Sequence, residues 1–270
     1  MPIKDFITEL KEKAEKRFEE FKIVEIDTIS SITEDAYLEK PTWVGGDTKY
    51  VCLFIDLDKS SKISFKKHPS TMAKIYDYFT QTLVDVFNHN SFCADYIDIK
   101  GDGAFAIYEG EHASYKAFYA AITFRKIFEE KIKTKFKDDE DNNLSCKIGI
   151  HKDKLLVKKI GKRSDYNEVW AGRLVNNAAK LAKEYQEFPE KFNEAKSPII
   201  ISEEVYRDFV AQPEFGLYSC HDGETNILDQ KNPVFTEVTD FSDDTLGDKF
   251  HYTQVGWCEY CADDYINKIN

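Results

Sequence analysis

The chain contains the run Val51-Cys52-Leu53-Phe54-Ile55-Asp56-Leu57-Asp58, in which apolar residues lead directly into acidic ones. A continuous apolar run of this kind predicts a central strand that is buried in a sheet. The carboxylate of Asp56 then leaves the core where the strand ends. The backbone holds it rigidly there, and solvent can reach it.

A second carboxylate, that of Asp102, follows in Gly101-Asp102-Gly103 between two short runs of strand-forming residues. This pattern predicts a tight β-hairpin with Asp102 at its tip. Taken alone, an Asp-Gly pair is ordinary turn chemistry, and an aspartate at a strand end often caps the next helix. If both carboxylates converge, they would bind a hard divalent cation against a nucleoside triphosphate.

The third informative segment begins with Cys146–His151, which has the composition of another strand. Residues 154–161 are predicted to be its hairpin partner. Further on, apolar residues three and four apart predict a helix that is buried along one side, namely Leu174, Val175, Ala178, Leu181 and Ala182. Asn176 and Lys180 are four apart, so they point the same way from another face of that helix.

Other helices follow from the same kind of spacing. Apolar stripes predict helices from Ser70 to Phe87 and over residues 112–135, and both stripes are interpreted as core. Residues 198–202 predict a late buried strand, and Ser202 is predicted to cap a helix that runs through Val210.

These segments, in this order, resemble the class III nucleotide cyclase family, which contains the adenylate and guanylate cyclase homology domains. That family has a strand ending in Phe-x-Asp-Ile, a Gly-Asp-Gly hairpin, an Arg-x-Gly-Ile-His strand and a Trp-Gly-x-x-Val-Asn-x-Ala-Ala-Arg helix. The matching stretches here are Phe54–Leu57, Gly101–Gly103, Lys147–His151 and Trp170–Lys180, within residues 48–210. No single motif is specific, but four in one order on elements of the right type are a strong signal.

The resemblance implies an α+β fold, an α/β sandwich with the ferredoxin-like palm core of class III nucleotide cyclases. Its elements would follow the order β-α-β-β-α-β, with helices on one face of a largely antiparallel sheet. Residues 1–47 would form an N-terminal helix (5–22) and a linker (28–47). Residues 48–212 would form the catalytic domain, and residues 213–270 a strand-rich C-terminal extension.

The resemblance also implies a metal site and a reaction. Asp56 and Asp102, with the main-chain carbonyl of Leu57, would hold two divalent ions, Mg²⁺ or Mn²⁺. The ribose 3′-oxygen of a nucleoside triphosphate would attack the α-phosphate, giving a 3′,5′-cyclic nucleotide and pyrophosphate, as in a phosphorus–oxygen lyase. Two ions can stabilise both the attacking and the leaving oxygens of such a reaction.

Three further roles come from the same resemblance. Lys147 would contact the β- and γ-phosphates, Asn176 would orient the ribose, and Lys180 would neutralise charge that develops at the α-phosphate. The family builds its sites at a head-to-tail dimer interface. One protomer would supply Lys147 and the two aspartates, and its partner would supply Asn176, Lys180 and the residues that contact the base. A single chain that carries every role predicts a homodimer with two equivalent, shared active sites.

Two departures from the family pattern concern the phosphate contacts and the helix. Lys147 and Lys180 stand where the family usually has arginines, so the charge is kept but the bidentate fork is lost. The spacing from Trp170 to Asn176 is one residue longer than usual, with Trp-Ala-Gly in place of Trp-Gly.

Base recognition departs furthest. The family contacts the base through a residue four before the hairpin aspartate and another two before the tryptophan, here Asp98 and Glu168. Carboxylates accept but do not donate, which suits the cytosine N4 amine, the uracil N3–H or the guanine N1–H, and suits adenine N1 poorly. We therefore expect a pyrimidine substrate, CTP or UTP, with CTP favoured, and GTP stays the hardest competitor because its edge also offers donors. The alternative for Asp98 is an exposed strand residue without a base contact.

These features look most like the pyrimidine cyclases of bacterial anti-phage (Pycsar) systems. In those systems cyclic CMP or cyclic UMP signals to an effector that the cyclic nucleotide gates. Two alternatives stay open. One is an adenylate or guanylate cyclase of ordinary signalling, and the other is a non-catalytic nucleotide-binding module that kept the palm fold. The presence of Asp56, Asp102 and Asn176 argues against the second.

Composition narrows the class of protein. A formal net charge of −12 over 270 residues argues against a nucleic-acid surface, but metal ions can still recruit an anionic nucleotide. No apolar run is long enough to span a membrane, and no signal peptide is expected. The scattered cysteines suggest reduced thiols and a cytoplasmic location. Cys258 and Cys261 form a lone Cys-x-x-Cys, interpreted as incidental rather than as a zinc or redox site.

Overall fold

In the computed structural model the described residues are 2–25, 28–29, 42–58, 60, 65, 68–135, 144–162, 165–193, 195–212, 234–239, 246–257 and 262–269. They fall into two compact units. The first unit combines residues 1–49 with 154–172, and the second combines residues 50–153 with 173–270. The first unit ends close to the expected boundary at residue 47 and also includes residues 154–172, and the domain boundaries at residues 47 and 212 stay predictions.

The elements in chain order are α1 (Ile3–Glu19), β1 (Lys22–Glu25), β2 (Thr42–Leu57), α2 (Pro69–Phe87), β3 (Tyr96–Lys100), β4 (Gly103–Tyr108), α3 (Ala113–Ile127), β5 (Cys146–Lys162), β6 (Asp165–Ala171), α4 (Arg173–Glu187), β7 (Ile199–Ser202), α5 (Glu203–Ala211), β8 (Thr236–Val238), β9 (Phe250–Thr253) and α6 (Ala262–Ile266). Short 3₁₀ turns cover Asn90–Phe92 and Pro189–Phe192. Helix α3 continues through a π-helical turn, Phe128–Ile132, to Lys135.

The first unit contains α1, β1, β6 and the outer parts of β2 and β5. Strand β1 pairs in parallel with β2, and β6 pairs antiparallel with β5. No residue of α1 is buried. The predicted linker 28–47 is wrong at its end, because β2 begins at Thr42. Residues 30–41 lie outside the described part of the chain.

The second unit is built on a sheet with the order β3-β4-β2-β5-β7-β9-β8. Strands β3 and β2 are antiparallel to β4, β5 is parallel to β7, and β9 is antiparallel to β7 and β8. The helices α2 and α3 connect the strands in the order β2-α2-β3-β4-α3-β5. This arrangement confirms the predicted α+β fold and the β-α-β-β-α-β order.

The predicted hairpin between β3 and β4 is confirmed. Lys100 pairs with Gly103, which leaves Gly101 and Asp102 as a two-residue turn. Gly101 has a φ of +64°, a conformation that a residue without a Cβ adopts at little cost. The turn chemistry therefore places Asp102 at the tip.

One face of this sheet is apolar and carries the main core. Its strand residues are Leu53 and Ile55 of β2, Ala104 and Ala106 of β4, Ile148 and Ile150 of β5, and Ile199 and Ile201 of β7. Helices α2, α3 and α5 cover them. Within this layer the ring of Phe79 meets Phe124 and Phe128 edge-on, with centroids 5.1 and 5.9 Å apart. The apolar stripes predicted for α2 and α3 are confirmed as core.

The other face of the sheet carries α4, so the expectation that the helices share one face is wrong. The reason lies at Gly149, where an added Cβ would stand 2.1 Å from the Ala178 carbonyl oxygen. The absence of a side chain lets the backbone of α4 lie directly on β5. Leu181 of α4 joins a smaller core on this face with Phe192, Ile200, Phe250 and Tyr252.

The hairpin predicted within residues 146–161 is also wrong, because β5 runs unbroken through its charged residues. Alternate residues 151, 153, 155 and 157 are buried, which is the period of a single strand. The polar side chains that suggested a turn have partners. Lys152 Nζ lies 2.6 Å from Asp208 Oδ2, and Arg173 Nε lies 2.8 Å from Asp153 Oδ2.

The remaining helix predictions hold with small changes. Helix α2 begins at Pro69, and the ring of His68 accepts the Ser70 N–H at 3.3 Å. Helix α5 follows Ser202 as predicted, although the Ser202 hydroxyl makes no capping hydrogen bond. Among the described residues, no helix combines the length and apolar character needed to cross a membrane.

The C-terminal extension contributes strands to the main sheet. Strand β9 pairs with β7, and β8 pairs with β9. The guanidinium of Arg125 donates to the carbonyls of Ser197 and Gln254 at 2.8 and 2.7 Å, which ties the chain after β9 to α3. Residues 213–233 of the extension and the cysteine pair at 258 and 261 lie outside the described residues.

Candidate active site

The carboxylate of Asp56 lies at the end of β2, on the face of the sheet opposite the main core. Its neighbours Ile55 and Leu57 are buried on the apolar face. Asp56 pairs with Gly103 of β4, where an added Cβ would stand 2.8 Å from Asp56 Oδ1 and from the Ile55 carbonyl oxygen. Glycine at position 103 therefore makes the room that the carboxylate occupies.

Asp102 lies beside Asp56 because the hairpin turn is tied to the end of β2. The Leu57 N–H donates to the Asp102 carbonyl at 3.4 Å. The two carboxylates are close enough for the negative charge of Asp102 to raise the pKa of Asp56. The structure thus brings together the two predicted metal-binding aspartates and the main chain of Leu57.

Lys147, the predicted phosphate-binding residue, is an ion-pair partner of Asp56. Its Nζ lies 2.6 Å from Asp56 Oδ2, and the two side chains are 10% and 19% exposed. The same ammonium donates to Gln186 Oε1 of α4 at 3.3 Å. Residue 147 faces this side because Ile148 and Ile150 face the main core.

The pKa of Asp56 is raised above its usual value, mainly because the carboxyl group is buried. Burial raises it most, the hydrogen bond and charge of Lys147 oppose the rise, and the charge of Asp102 adds to it. The net direction is upward, so one ammonium does not fully compensate the desolvated carboxylate. A further cation at this place would favour the ionised form.

The donors suit a hard divalent ion. Carboxylate and carbonyl oxygens are the ligands that Mg²⁺ and Mn²⁺ prefer, and Mg²⁺ is commonly held by one or two carboxylates together with substrate phosphates. Among the described residues, no group of three or more His, Cys, Asp or Glu side chains converges on one point. A site with two carboxylates and the Leu57 carbonyl fits a metal that is completed by substrate and water.

Asn176 and Lys180 lie one turn apart on α4, with Asn176 exposed and Lys180 half-buried. A buried polar cluster anchors the first turn of this helix. His151 Nε2 lies 3.5 Å from the Asn177 amide nitrogen and 3.6 Å from Asp153 Oδ2. Burial lowers the pKa of His151, and nearby carboxylates oppose that shift. Together with the contact at Gly149, this cluster fixes where α4 presents Asn176.

Asp98, the predicted base-contacting residue, lies on β3 and pairs with a neighbour. Lys100 Nζ is 2.7 Å from Asp98 Oδ2, and the Asp98 side chain is 16% exposed. Residues two apart on a strand share a face, so β3 presents an acceptor and a donor side by side. The sequence argument had considered the acceptor alone.

Glu168, the second predicted base-contacting residue, lies on β6 opposite Lys159 and is half-buried. It belongs to the first unit, whereas Asp98 belongs to the second. The segment before α4 is a strand, which the sequence had not indicated. The contact of either residue with a base stays a prediction.

Several residues of the site were not foreseen. Gln186 carries no sequence signal, because its contact with Lys147 depends on how α4 packs. Asp58 is buried, and its Oδ2 accepts the Ser145 hydroxyl at 2.8 Å, which joins the ends of β2 and β5. Asp58, Ser145 and Gln186 line a cavity of about 110 Å³. Gly149 was the one detectable signal, since a glycine inside a strand often marks a close backbone approach.

Comparisons with known proteins place the chain among the nucleotide cyclases. A family model described as the adenylate and guanylate cyclase catalytic domain matches residues 47–206. A uridylate cyclase from Propioniciclava tarda is 30% identical over 265 residues, which cover 95% of this chain and 77% of the relative. A uridylate cyclase from Micromonospora echinofusca is 28% identical over 221 residues, or 78% of this chain and 68% of the relative.

Solved structures support the fold. The adenylyl cyclase CyaB from P. aeruginosa has a TM-score of 0.56 at 13% identity, over 80% of this chain and 97% of that one. The guanylyl cyclase Cya2 has a TM-score of 0.57 at 16% identity, over 80% and 96%. A non-canonical dimeric guanylyl cyclase domain of the RhoGC fusion protein from Blastocladiella emersonii has a TM-score of 0.53 at 11% identity, over 77% of this chain and 96% of that one.

At these identities the structural likeness shows the fold alone, and the sequence matches carry the assignment further. The family model covers more than half of the chain. Its range contains both Asp56 on β2 and Asp102 in the turn between β3 and β4. The chain belongs to the adenylate and guanylate cyclase catalytic domain family and is a class III nucleotidyl cyclase, a lyase.

Proposed function

We propose that this cyclase converts UTP to 3′,5′-cyclic UMP and pyrophosphate. The observation that carries the proposal is the 30% identity to a uridylate cyclase across 95% of the chain. The second relative, also a uridylate cyclase, adds support. These relatives favour UTP over CTP, although the residue chemistry had inclined toward CTP.

The chemistry of β3 is compatible with UTP but does not choose it alone. Uracil presents an N3–H donor between two carbonyl acceptors. Asp98 would accept from N3–H, and Lys100, which lies 2.7 Å from it, would donate to a neighbouring carbonyl. Other bases also present a donor next to an acceptor, so the preference for UTP in this proposal rests on the likeness to uridylate cyclases.

In the proposed reaction, the ribose 3′-oxygen forms a bond to the α-phosphorus while the bond from that phosphorus to the β-bridging oxygen breaks. The 3′-hydroxyl loses its proton, and pyrophosphate leaves with the electron pair. The family generally uses divalent metals. Ions held by Asp56, Asp102 and the Leu57 carbonyl would acidify the 3′-hydroxyl and neutralise the leaving group.

The remaining groups position the substrate. Lys147 would contact the β- and γ-phosphates, and Lys180 would neutralise charge at the α-phosphate as it develops. Asn176, one turn from Lys180, would orient the ribose. Because Lys147 is paired with Asp56 in this structure, it has to turn toward the phosphates when substrate binds.

We further propose a homodimer with composite sites. Asn176 and Lys180 would come from one protomer, and Asp56, Asp102 and Lys147 from its partner. One of the similar solved structures is described as a non-canonical dimeric guanylyl cyclase domain, so the shared fold supports dimer formation, and the composite sites rest on the family resemblance. A closed twofold dimer gives two equivalent sites.

The proposed biological role rests on the resemblance to the pyrimidine cyclases of bacterial anti-phage systems. We propose that cyclic UMP made by this enzyme is a second messenger in bacterial antiviral defence, acting on a downstream effector that the cyclic nucleotide gates. Cells that carry the wild-type gene should accumulate cyclic UMP after phage infection. Cells with the Asp56→Ala variant should not accumulate it, and equal accumulation in both would count against the role.

The substrate proposal is tested by incubating the full chain with each of the four nucleoside triphosphates at equal concentration and Mn²⁺. Products are separated by chromatography and identified by mass. Cyclic UMP should form fastest and cyclic AMP slowly. A faster rate with ATP or GTP would refute the pyrimidine proposal, and a faster rate with CTP would refute UTP alone.

The dimer proposal is tested by mixing two inactive variants, Asp102→Ala and Lys180→Ala. In a random mixture half of the dimers are mixed, and each mixed dimer has one intact site, so about a quarter of wild-type activity should return. Subunit exchange is checked with differently tagged chains. Exchange without recovery of activity would rule out composite sites.

A further inference from the structure

The ion pair between Lys147 and Asp56 joins two neighbouring strands, β5 and β2. Both side chains face the α4 side of the sheet, and their positions follow from the strand alternation described above. The contact is therefore set by the backbone rather than by a chance meeting of flexible surface groups.

Burial makes this pair stronger than an exposed one. The Lys147 and Asp56 side chains are 10% and 19% exposed, so solvent and salt screen their attraction poorly. Another pair on β5 offers a comparison, since Lys152 and Asp208 lie at the same 2.6 Å distance with 25% and 29% exposure.

From this geometry we propose that Lys147 acts as an internal cation on Asp56 when nucleotide is absent, so that divalent ions bind weakly until a nucleoside triphosphate draws Lys147 away. The inference rests on the metal role proposed above for Asp56. Under it, the ion and the nucleotide bind together, because the phosphates supply both a ligand for the ion and a new partner for Lys147.

The competition is electrostatic as well as steric. The ammonium lies 2.6 Å from Asp56 Oδ2, within the space that a ligand of that oxygen needs. A divalent ion on the other carboxylate oxygen would still lie within a few ångströms of a like charge in a poorly screened place. Binding of the ion to the nucleotide-free protein therefore has to displace Lys147 or tolerate its charge.

Gln186 holds the internal cation in place. Its Oε1 accepts from Lys147 Nζ at 3.3 Å, which gives the ammonium a second partner besides Asp56. Gln186 also lines the cavity of about 110 Å³ described above. The amide has space to turn when Lys147 leaves, so we assign Gln186 as a positioning residue for Lys147.

The test measures binding of Mn²⁺ alone to the full, nucleotide-free chain, by the loss of the free-ion electron paramagnetic resonance signal. Lys147→Met keeps the length of the side chain and removes its charge. It should bind Mn²⁺ at least about tenfold more tightly than wild type. The matched control is Lys152→Met, which removes an ammonium from an ion pair of equal length on the same strand and should leave the affinity unchanged.

The outcomes separate the inference from the proposed function. Equal Mn²⁺ affinity in wild type and Lys147→Met overturns the internal-cation role, even if the enzyme makes cyclic UMP. Tighter binding in Lys147→Met that Asp56→Asn abolishes in the double variant supports it. If the added Asp56→Asn change leaves Mn²⁺ binding intact, Asp56 is not the ligand, and both the inference and the metal assignment fail.

Thermal melting shows whether each variant is folded. The rise in melting temperature on adding Mn²⁺ should be larger for Lys147→Met than for wild type. If Lys147→Met does not give folded protein, Gln186→Leu decides, because it keeps Lys147 and removes one of its two partners. It should tighten Mn²⁺ binding by about twofold to tenfold, and an unchanged affinity would overturn the proposal.

Discussion

The two faces of the main sheet are built from the same strands but differ in what they carry. On β5, Ile148 and Ile150 enter the apolar core beneath α2 and α3, whereas Lys147 and His151 point to the side of α4. On β2 the same alternation separates Ile55 from Asp56. One face holds the main hydrophobic core, and the other holds a smaller core together with the groups proposed for chemistry.

This difference indicates that alternate residues of one strand contribute to stability and to the proposed catalysis. Apolar burial on one face stabilises the sheet. On the other face, charges that are costly to bury are retained in pairs, as with Lys147 and Asp56. Substitutions of adjacent residues should therefore have separable effects on unfolding and on turnover.

The largest effect is expected on the polar face. Asp56→Ala or Asp102→Ala should lower cyclase activity by about a hundredfold to a thousandfold or more, because charge stabilisation of the reacting phosphate is lost. Melting should show that both variants still fold. Asp77→Ala on the exposed side of α2 is the control, and near wild-type turnover in both site variants would disprove the two-aspartate assignment.

On the apolar face, Ile150→Ala should reduce the free energy of unfolding by about 2–5 kcal/mol because it leaves a cavity in the core. Urea denaturation measures the loss, and turnover per folded molecule should change little. Ile160→Ala, an exposed position on the same strand, should change stability by less than about 0.5 kcal/mol. A collapse of turnover without loss of stability in Ile150→Ala would contradict the division between the faces.

Gly149→Ala tests the contact between β5 and α4, which should affect both stability and turnover. Its new Cβ would clash with the Ala178 carbonyl and push α4 from the sheet, at a cost of about 1–3 kcal/mol in unfolding free energy. Turnover should fall as well, because α4 carries Asn176 and Lys180. Gly256→Ala has open space around its Cβ and is the control. Unchanged turnover in Gly149→Ala would show that the position of α4 does not matter to catalysis.

The smallest effect concerns base choice. Asp98→Asn gives a group that both donates and accepts, so the preference for UTP over ATP should fall by about tenfold with little change in stability. The ratio of kcat/KM values for UTP and ATP measures it. Asp77→Asn serves as the charge-matched control, and an unchanged ratio in Asp98→Asn would assign this carboxylate to its ion pair with Lys100 alone.

The parts of the fold that the sequence predicted are those in which one local signal determines the structure. The apolar run before Asp56 predicted a buried strand, and Gly101 with Asp102 predicted a tight turn. The long strand β5 was missed because the charges at Lys152 and Asp153 resemble a turn. Their ion pairs with Asp208 and Arg173 form through tertiary contacts that local sequence does not show.

The candidate site was predicted in its residue types more than in its contacts. Asp56 and Asp102 lie close together because of strand pairing. The order of the motifs along the chain made this proximity predictable. The contact of Lys147 with Asp56 depends on which strands are neighbours, and that of Gln186 on how α4 packs. Neither the order of strands nor the position of a helix is encoded in local spacing.

The strands β8 and β9 protect one edge of the main sheet from pairing with another molecule. Without them, β7 would present the unpaired N–H and C=O groups of three consecutive isoleucines, the kind of edge on which chains aggregate. Strand β9 pairs with that edge, and the outermost strand becomes β8, which has three residues. The exposed carboxylate of Glu237 on β8, paired with Lys249, makes this last edge a poor template for a further strand.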